Sequence, residues 1–298
     1  MQIKFLGSGS AFVLQKENYQ SNILITKTEE QPITISGADN TLVTSETEII
    51  TKHLLIDAGT HINDILDNYG YTATDIDGIF ITHNHGDHNS GLEFLGFKTY
   101  FIPPFGTRKP KLFVPANILK TLWENVLKGN MQGLRGTKAT IESYFNVRVI
   151  KPRESFTFMN TTYTPVKLPH IIDDVDEIPA YGLKFIEDDT KFFLSGDTIF
   201  DFWRLMPFWE WADVIFQDCE MLEYDGGVHA QFNQLKEIPD IYKSKMWLYH
   251  YMLNGKTFEE LEQQVLNAGF AGLIFRGQIF DTKTIKGQPW LKDILLKN

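Results

Sequence analysis

His83, His85, Asp87 and His88 fall within six residues, in the pattern H-x-H-x-D-H. Imidazole nitrogens suit zinc and other borderline metals, and a carboxylate can terminate or bridge a metal shell. His83 and His85 can converge on one ion, while Asp87 and His88 point at a second. The first ion then needs another ligand, and His170 is the best candidate. A carboxylate must bridge the pair, which suits Asp197. The second ion needs one more nitrogen, which suits His250. Two divalent ions in such a shell polarise an ester or phosphoryl oxygen and activate water. The pattern therefore predicts a binuclear metallohydrolase. His53 and His61 stand alone and read as surface or locally satisfied residues.

Donors of this kind must be held at the ends of buried elements. Asp77 to Ile81 reads as a short strand entering the cluster, and Asn89 to Leu95 as the start of a helix leaving it. Thr161 to Leu168 reads as a strand running into His170, and Lys191 to Ser195 as one running into Asp197. Val214 to Gln217 runs into Asp218, and Met246 to Tyr249 into His250. Polar residues at such strand ends are where α/β folds place chemistry. Ile3 to Leu6, Ser21 to Thr26 and His53 to Ile56 read as further strands. Residues 28–50, rich in Thr, Glu and Ile, read as an inserted hairpin turning near Gly37-Ala38-Asp39-Asn40.

Helices are expected over 61–69, 116–129 and 137–145. Another is expected from Thr257 to Ala268, opened by a capping box of Thr257 and Glu260. Phe202, Trp203, Phe208, Trp209 and Trp211 predict a packed helix or lid. Gly7 to Phe12 lacks the Lys and spacing of a phosphate-binding loop and reads as a tight glycine turn below the site. No Pro- or Ser-rich linker divides the chain, so residues 1–298 read as a single domain.

With 38 acidic and 28 basic residues, the net charge of −10 argues against a surface that coats extended nucleic acid. It says little about a small anionic substrate, because bound ions reverse the local field. The single cysteine, Cys219, precludes an intrachain disulfide and reads as a buried small hydrophobe in a reducing compartment. No signal-like N-terminus is seen, and no apolar run approaches the ~18 residues of a membrane span. A cytoplasmic protein without a membrane partner is expected.

The ordered set closely resembles the metallo-β-lactamase superfamily. Its motifs run through nearly the whole chain: Asp57 in Leu55-Ile56-Asp57-Ala58-Gly59, then His83 to His88, His170, Asp197 and His250. The resemblance implies an α/β fold, an αββα sandwich with a dimetal site along the edge of its two sheets. It also implies that Asp57 lies outside the metal shell and orients a ligand imidazole. Zinc is expected from the imidazoles, with manganese as the alternative because carboxylates contribute to both ions.

Asp218-Cys219-Glu220, followed by Gly227-Val228-His229-Ala230, resembles the phosphodiesterase branch that includes ribonuclease Z. That implies His229 as general acid with Glu220 as its orienting partner, and Asp87 is counted with them in the catalytic set. Glu17 to Asn22, Gly91 to Phe97, Asp213 to Glu220, Ser244 to Tyr251 and Gly269 to Gly272 resemble the anti-Pycsar proteins. These are homodimeric cyclic-nucleotide phosphodiesterases of phages, with bacterial relatives. The resemblance implies hydrolysis of 3′,5′-cyclic mononucleotides (cyclic CMP, UMP, AMP or GMP) in a host cytoplasm, silencing a nucleotide-signalled antiphage response. The hairpin at 28–50 departs from the family pattern and bears on dimer packing and substrate entry.

A base needs a flat apolar partner, and Tyr19, Tyr251 and Trp203 are expected to bind substrate, with Phe12 nearby. Two rival readings remain. A ribonuclease Z-like 3′ endoribonuclease would need an RNA-gripping arm, for which only the short segment Lys98 to Lys111 is available. A non-hydrolytic nucleotide-binding module would leave the full ligand set without a task.

Overall fold

Period-two burial along the strands sorts the apolar side chains into layers. In the strand β1 (Gln2–Gly7), Ile3 and Phe5 face one way and Leu6 the other. β2 (Asn22–Ser36) turns Ile23 and Ile25 inward and Leu24 outward, and β3 (Leu42–Ile56) does the same with Leu54, Ile56 and Leu55. The computed structural model describes residues 1–14, 18–36, 42–172, 177–223 and 226–285.

β4 (Ile76–Phe80), β5 (Lys111–Pro115) and, after a small β6 (Gly133–Leu134) and β7 (Thr137–Lys138) pair, β8 (Asn146–Ile150) extend the first sheet. A second sheet follows: β9 (Phe156–Phe158), β10 (Thr161–Ile172), β11 (Glu177–Glu187), β12 (Thr190–Leu194), β13 (Val214–Asp218), β14 (Met246–Tyr249) and β15 (Gly272–Leu273). β16 (Ile279–Asp281) returns to the first. The two seven-stranded sheets have the orders β16-β1-β2-β3-β4-β5-β8 and β15-β14-β13-β12-β11-β10-β9.

An aromatic-rich layer fills the space between the sheets, where Phe5 meets Phe216 edge-on at 5.1 Å and Phe113 stacks on Phe156 at 4.3 Å. A second apolar cluster packs helices, including Ile62–Asn68 and Leu92–Tyr100, on the outside of the first sheet. A third packs Phe202–Trp211 and Phe258–Asn267 on the outside of the second. This is the expected αββα sandwich.

Several expectations are refined. The capping box of Thr257 and Glu260 forms, with Thr257 as N-cap. The aromatic stretch is the helix Phe202–Trp211, with Trp209 buried. Residues 137–145 are not one helix: Thr137 and Lys138 pair with Leu134 and Gly133, and helix begins only at Ile141. Gly136, at φ +82°, supports a hairpin there rather than a simple break.

β2 and β3 pair from Ile23–Ile56 out to Ser36–Leu42. β1 accompanies β2 only as far as Thr26, and β4 accompanies β3 only from His53, so the outer part of this pair runs as a two-stranded ribbon. The expected turn at Gly37 to Asn40 lies outside the described residues, as does Glu17. Arg108 and Lys109 of the short basic segment donate to the carbonyls of Thr74 and Glu142, both at 2.7 Å, and so lie down on the fold. No helix among the described residues is long and apolar enough to cross a membrane.

Candidate metal centre

Neighbouring parallel strands carry the site at their C-terminal ends. In the first sheet, β3 leads directly into Asp57 and the adjacent β4 leads into His83 to His88. In the second, β12, β13 and β14 lie side by side and lead into Asp197, Asp218 and His250. Asp87 and His88 sit on the one-turn helix Gly86–Asn89, with His85 as its N-cap. The loop is pinned from below: Ala58 donates to the His88 carbonyl at 2.7 Å, and a Cβ on Gly59 would stand 2.3 Å from the Asp87 carbonyl oxygen. Only glycine allows that approach.

His170 arrives differently. β10 continues past Leu168 to Ile172, so His170 is inside a strand rather than beyond its end. The ladder with β11 shifts register between Pro169 and Ile171, and this bulge presents His170 at the site. His250 stands at φ +68° and Asp57 at φ +63°, two left-handed turns that stop their strands at the centre. The backbone nitrogen of His250 donates to Ser8 at 2.7 Å. The Gly7 to Ser10 turn is thus a support beneath the site, and Gly7 is jammed against the Gln20 carbonyl.

Two donor groups assemble. His83, His85 and His170 form one, and Asp87, His88, Asp197 and His250 the other, each with ligand atoms within 4.8 Å of one another. His83 Nε2 and His170 Nε2 lie 2.9 and 3.1 Å from His85 Nδ1. The Asp197 Oδ2 atom lies 3.2 Å from His88 Nε2 and 3.4 Å from His250 Nε2. The same oxygen is 3.8 Å from both His83 Nε2 and His170 Nε2. One carboxylate oxygen therefore faces both groups, which is where an oxygen shared by two ions would stand.

The donor set fits two divalent ions. Ligands bonded at about 2.0–2.2 Å around a four-coordinate ion stand roughly 3.3 Å apart, matching these spacings. His88 Nε2, His250 Nε2 and Asp197 Oδ1 are buried and make no hydrogen bond among the described residues. A buried polar atom left in that state is costly, and a metal bond removes the cost for the two nitrogens. Burial drives His83 well below the ordinary imidazole range and His170 down to about 4, so both stand as neutral donors. Burial works against ionised Asp197, but the surrounding imidazoles outweigh it and hold the carboxyl well below its usual range.

Buried groups behind the donors fix their tautomers. Asp57 Oδ2 accepts from His88 Nδ1 at 2.7 Å and from the Thr82 hydroxyl at 2.7 Å. That hydroxyl lies 3.0 Å from His83 Nδ1, so Asp57 reaches one imidazole of each group. His170 Nδ1 donates to the Val228 carbonyl at 2.7 Å. Each contact leaves Nε2 free to bind metal. Asp57→Asn is accordingly expected to weaken metal affinity by about 10–100-fold with the fold intact. Titration with zinc against a chelating indicator measures it, and unchanged affinity would remove Asp57 from this role.

The expected pair of His229 and Glu220 does not form. His229 Nδ1 lies 2.9 Å from Asp218 Oδ2, and Asp218 is fully buried. β13 ends at Asp218, and the Glu220 carboxylate beyond it accepts instead from the Leu222 nitrogen at 2.9 Å. Glu220 holds the His229 segment through its backbone instead, pairing with Ala230 and Phe232. Burial disfavours a charged His229, but the Asp218 carboxylate outweighs it and raises the pKa.

The aromatics divide. Tyr251 is 1% exposed with its hydroxyl on the Ile274 carbonyl at 2.8 Å, which withdraws it from any substrate. Tyr19 meets the Asn68 amide, and its ring carries the Arg276 guanidinium at 5.3 Å. Trp203, 76% exposed, and Phe12, 85% exposed, stay open. His53 meets Thr26 Oγ1 at 2.9 Å and Cys219 is fully buried, both structural as expected.

A family model described as anti-Pycsar protein Apyc1 matches residues 37–280. An anti-Pycsar protein Apyc1 of Paenibacillus harenae is 30% identical over 266 residues, covering 88% of this chain and 93% of its own. One from Bacillus phage vB_BsuM-Goe3 is 29% identical over 275 residues, covering 86% and 91%. Among solved structures, the metallo-β-lactamase fold protein YhfI of Bacillus subtilis superposes with a TM-score of 0.65 at 15% identity, over 94% of this chain and 98% of its own. The short form of human tRNase Z superposes with a TM-score of 0.60 at 15% identity, over 95% and 99%. At such identity the two structures establish the metallo-β-lactamase fold and nothing finer.

Proposed function

Because the chain belongs to the anti-Pycsar Apyc1 family, we propose that it is a dimetal phosphodiesterase that opens 3′,5′-cyclic mononucleotides to linear monophosphates. The observation that carries this reading is the pair of half-buried His229 and buried Asp218 set beside the shared Asp197 oxygen, with His229 Nδ1 4.0 Å from Asp197 Oδ2. A thioester hydrolase, which expels a thiolate, has no need of that acid. An alkoxide leaving from phosphorus does.

His83, His85, His170, Asp87, His88, Asp197 and His250 would hold two divalent ions, which when bound would supply Lewis acidity toward phosphoryl oxygens and acidify water. Five imidazoles against two carboxylates favour zinc. The protein's own groups do the rest. Asp57, Thr82 and Val228 hold the donor imidazoles in one tautomer. The entering water gives up one proton to solvent as its oxygen bonds phosphorus, one ring P–O bond breaks, and the proton on His229 passes to the freed ribose oxygen and is replaced from solvent. Asp218 stabilises the imidazolium until then.

The ribonuclease Z-like alternative loses support from the tethered Arg108 and Lys109, which offer no projecting arm. Action in a host cytoplasm as a homodimer belongs to the same proposal. Incubation of metal-loaded protein with cyclic CMP, UMP, AMP and GMP, followed by chromatography, tests it. A linear monophosphate is expected from at least one, and four inert substrates would sink the reading.

A further inference from the structure

We propose that the groove between Phe200–Phe202 and the helix Phe232–Leu235 receives the nucleobase of the substrate, an inference that rests on the phosphodiesterase reading. The groove holds about 500 Å³ and is lined by Phe200, Phe202, Gln234, Glu237, Ile238 and Pro239. Both of its walls grow out of the catalytic pair. Asp218 Oδ2 accepts from the Thr198 nitrogen at 2.8 Å and from His229 at 2.9 Å. Two residues beyond Thr198 the chain reaches Phe200, and three beyond His229 it reaches Phe232, where the helix begins.

The chemistry of a cyclic diester selects this side. In an in-line displacement the entering and leaving oxygens stand on opposite sides of phosphorus. His229 marks the leaving side. In a 3′,5′-cyclic nucleotide the leaving oxygen stays attached to the ribose, so sugar and base must also lie toward His229. The wall there is mostly apolar and carries two polar side chains, Gln234 and Glu237, as a base requires. Phe200 and Phe202 are half-buried and present ring surface. The Gln234 side-chain oxygen Oε1 is occupied, accepting from the Gln231 backbone nitrogen at 2.9 Å, so its side-chain NH₂ is the end left to donate. Glu237, exposed one turn on, supplies an acceptor. A donor and an acceptor beside an aromatic face can read a base edge.

The test compares cyclic CMP and cyclic UMP with bis(p-nitrophenyl) phosphate, a diester that carries no base. In Phe200→Ala the ratio of kcat/KM for the cyclic nucleotides to that for the base-free diester is expected to fall about 10-fold. In Glu237→Gln, a surface change that spares folding, the cyclic CMP to cyclic UMP ratio is expected to shift at least about fivefold. Binding of 5′-CMP to the metal-loaded protein, followed by calorimetry, should weaken in Phe200→Ala in parallel with the first ratio. If the wild type is active and both ratios stay put, the groove is not the base site. If the wild type hydrolyses no cyclic nucleotide while 5′-CMP binding still depends on Phe200, the groove stands and the hydrolytic reading falls.

Discussion

His229→Ala is expected to lower kcat by about 10²–10⁴-fold while both ions stay bound. The side chain is 17% exposed, whereas Asp197 and its imidazole neighbours His83, His88, His170 and His250 are 1–3% exposed, so His229 faces the open side of the centre. Its geometry also permits a rival role, since it falls with Asp197, Asp218 and His250 in a third possible donor group. The two roles separate cleanly. An acid leaves metal content untouched when removed, and a ligand does not. Elemental analysis of the purified variant decides, and loss of an ion would move His229 into the shell. The pH profile adds a second check. Asp218 raises the His229 pKa, so the imidazolium persists above its ordinary range and the rate falls as pH rises through that value. Asp218→Asn removes the raising charge, and the fall should move to lower pH.

Asp197→Ala is expected to lose metal as well as turnover, because its Oδ2 is the atom both donor groups share. Without it, each group keeps only three donors and no charge is common to the two ions. A ligand that binds the folded state alone stabilises it by about 4 kcal/mol at a thousandfold excess over Kd. Wild-type protein should therefore melt measurably higher with zinc than after chelation, and Asp197→Ala should show little difference between the two. Elemental analysis accompanies the melting curves. Full zinc content and an unchanged zinc-dependent shift in Asp197→Ala would dismiss the bridge.

Much of the centre was legible because five of its parts are the last residue of a strand or the next few after it. A buried strand is recognised by its apolar run, and where the run stops the first polar residue is exposed to chemistry. Asp57, His83 to His88, Asp197 and His250 all follow that rule. So does Asp218, whose position after Val214 to Gln217 carried the same signal that the spacing to Glu220 obscured. His170 does not follow it. The sequence points to it as a ligand all the same, but as a residue beyond a strand end; that it is presented by a bulge depends on how two strands register across a sheet, for which Pro169 is the one local hint. Nor was the fate of Tyr251 legible. The left-handed turn at His250 swings the next side chain into the third apolar cluster, and neither residue type foretells the turn. The hairpin around Gly136, which shortens the helix expected over 137–145, was not legible because a glycine marks a turn without saying what pairs across it.

The division of donors between the sheets bears on when the catalyst comes into being. His83, His85, Asp87 and His88 belong to one loop of the first sheet, while His170, Asp197 and His250 are carried by the second. Neither donor group is complete within either sheet. A chain leaving the ribosome displays four candidate metal ligands early, yet gains the Asp197 oxygen that both donor groups face only at residue 197 and its last candidate imidazole at residue 250. Until the second sheet has closed over the first, the nascent protein is chemically silent. Hydrolytic power therefore appears in one step at the end of assembly, and a truncated or half-folded copy has none to misdirect.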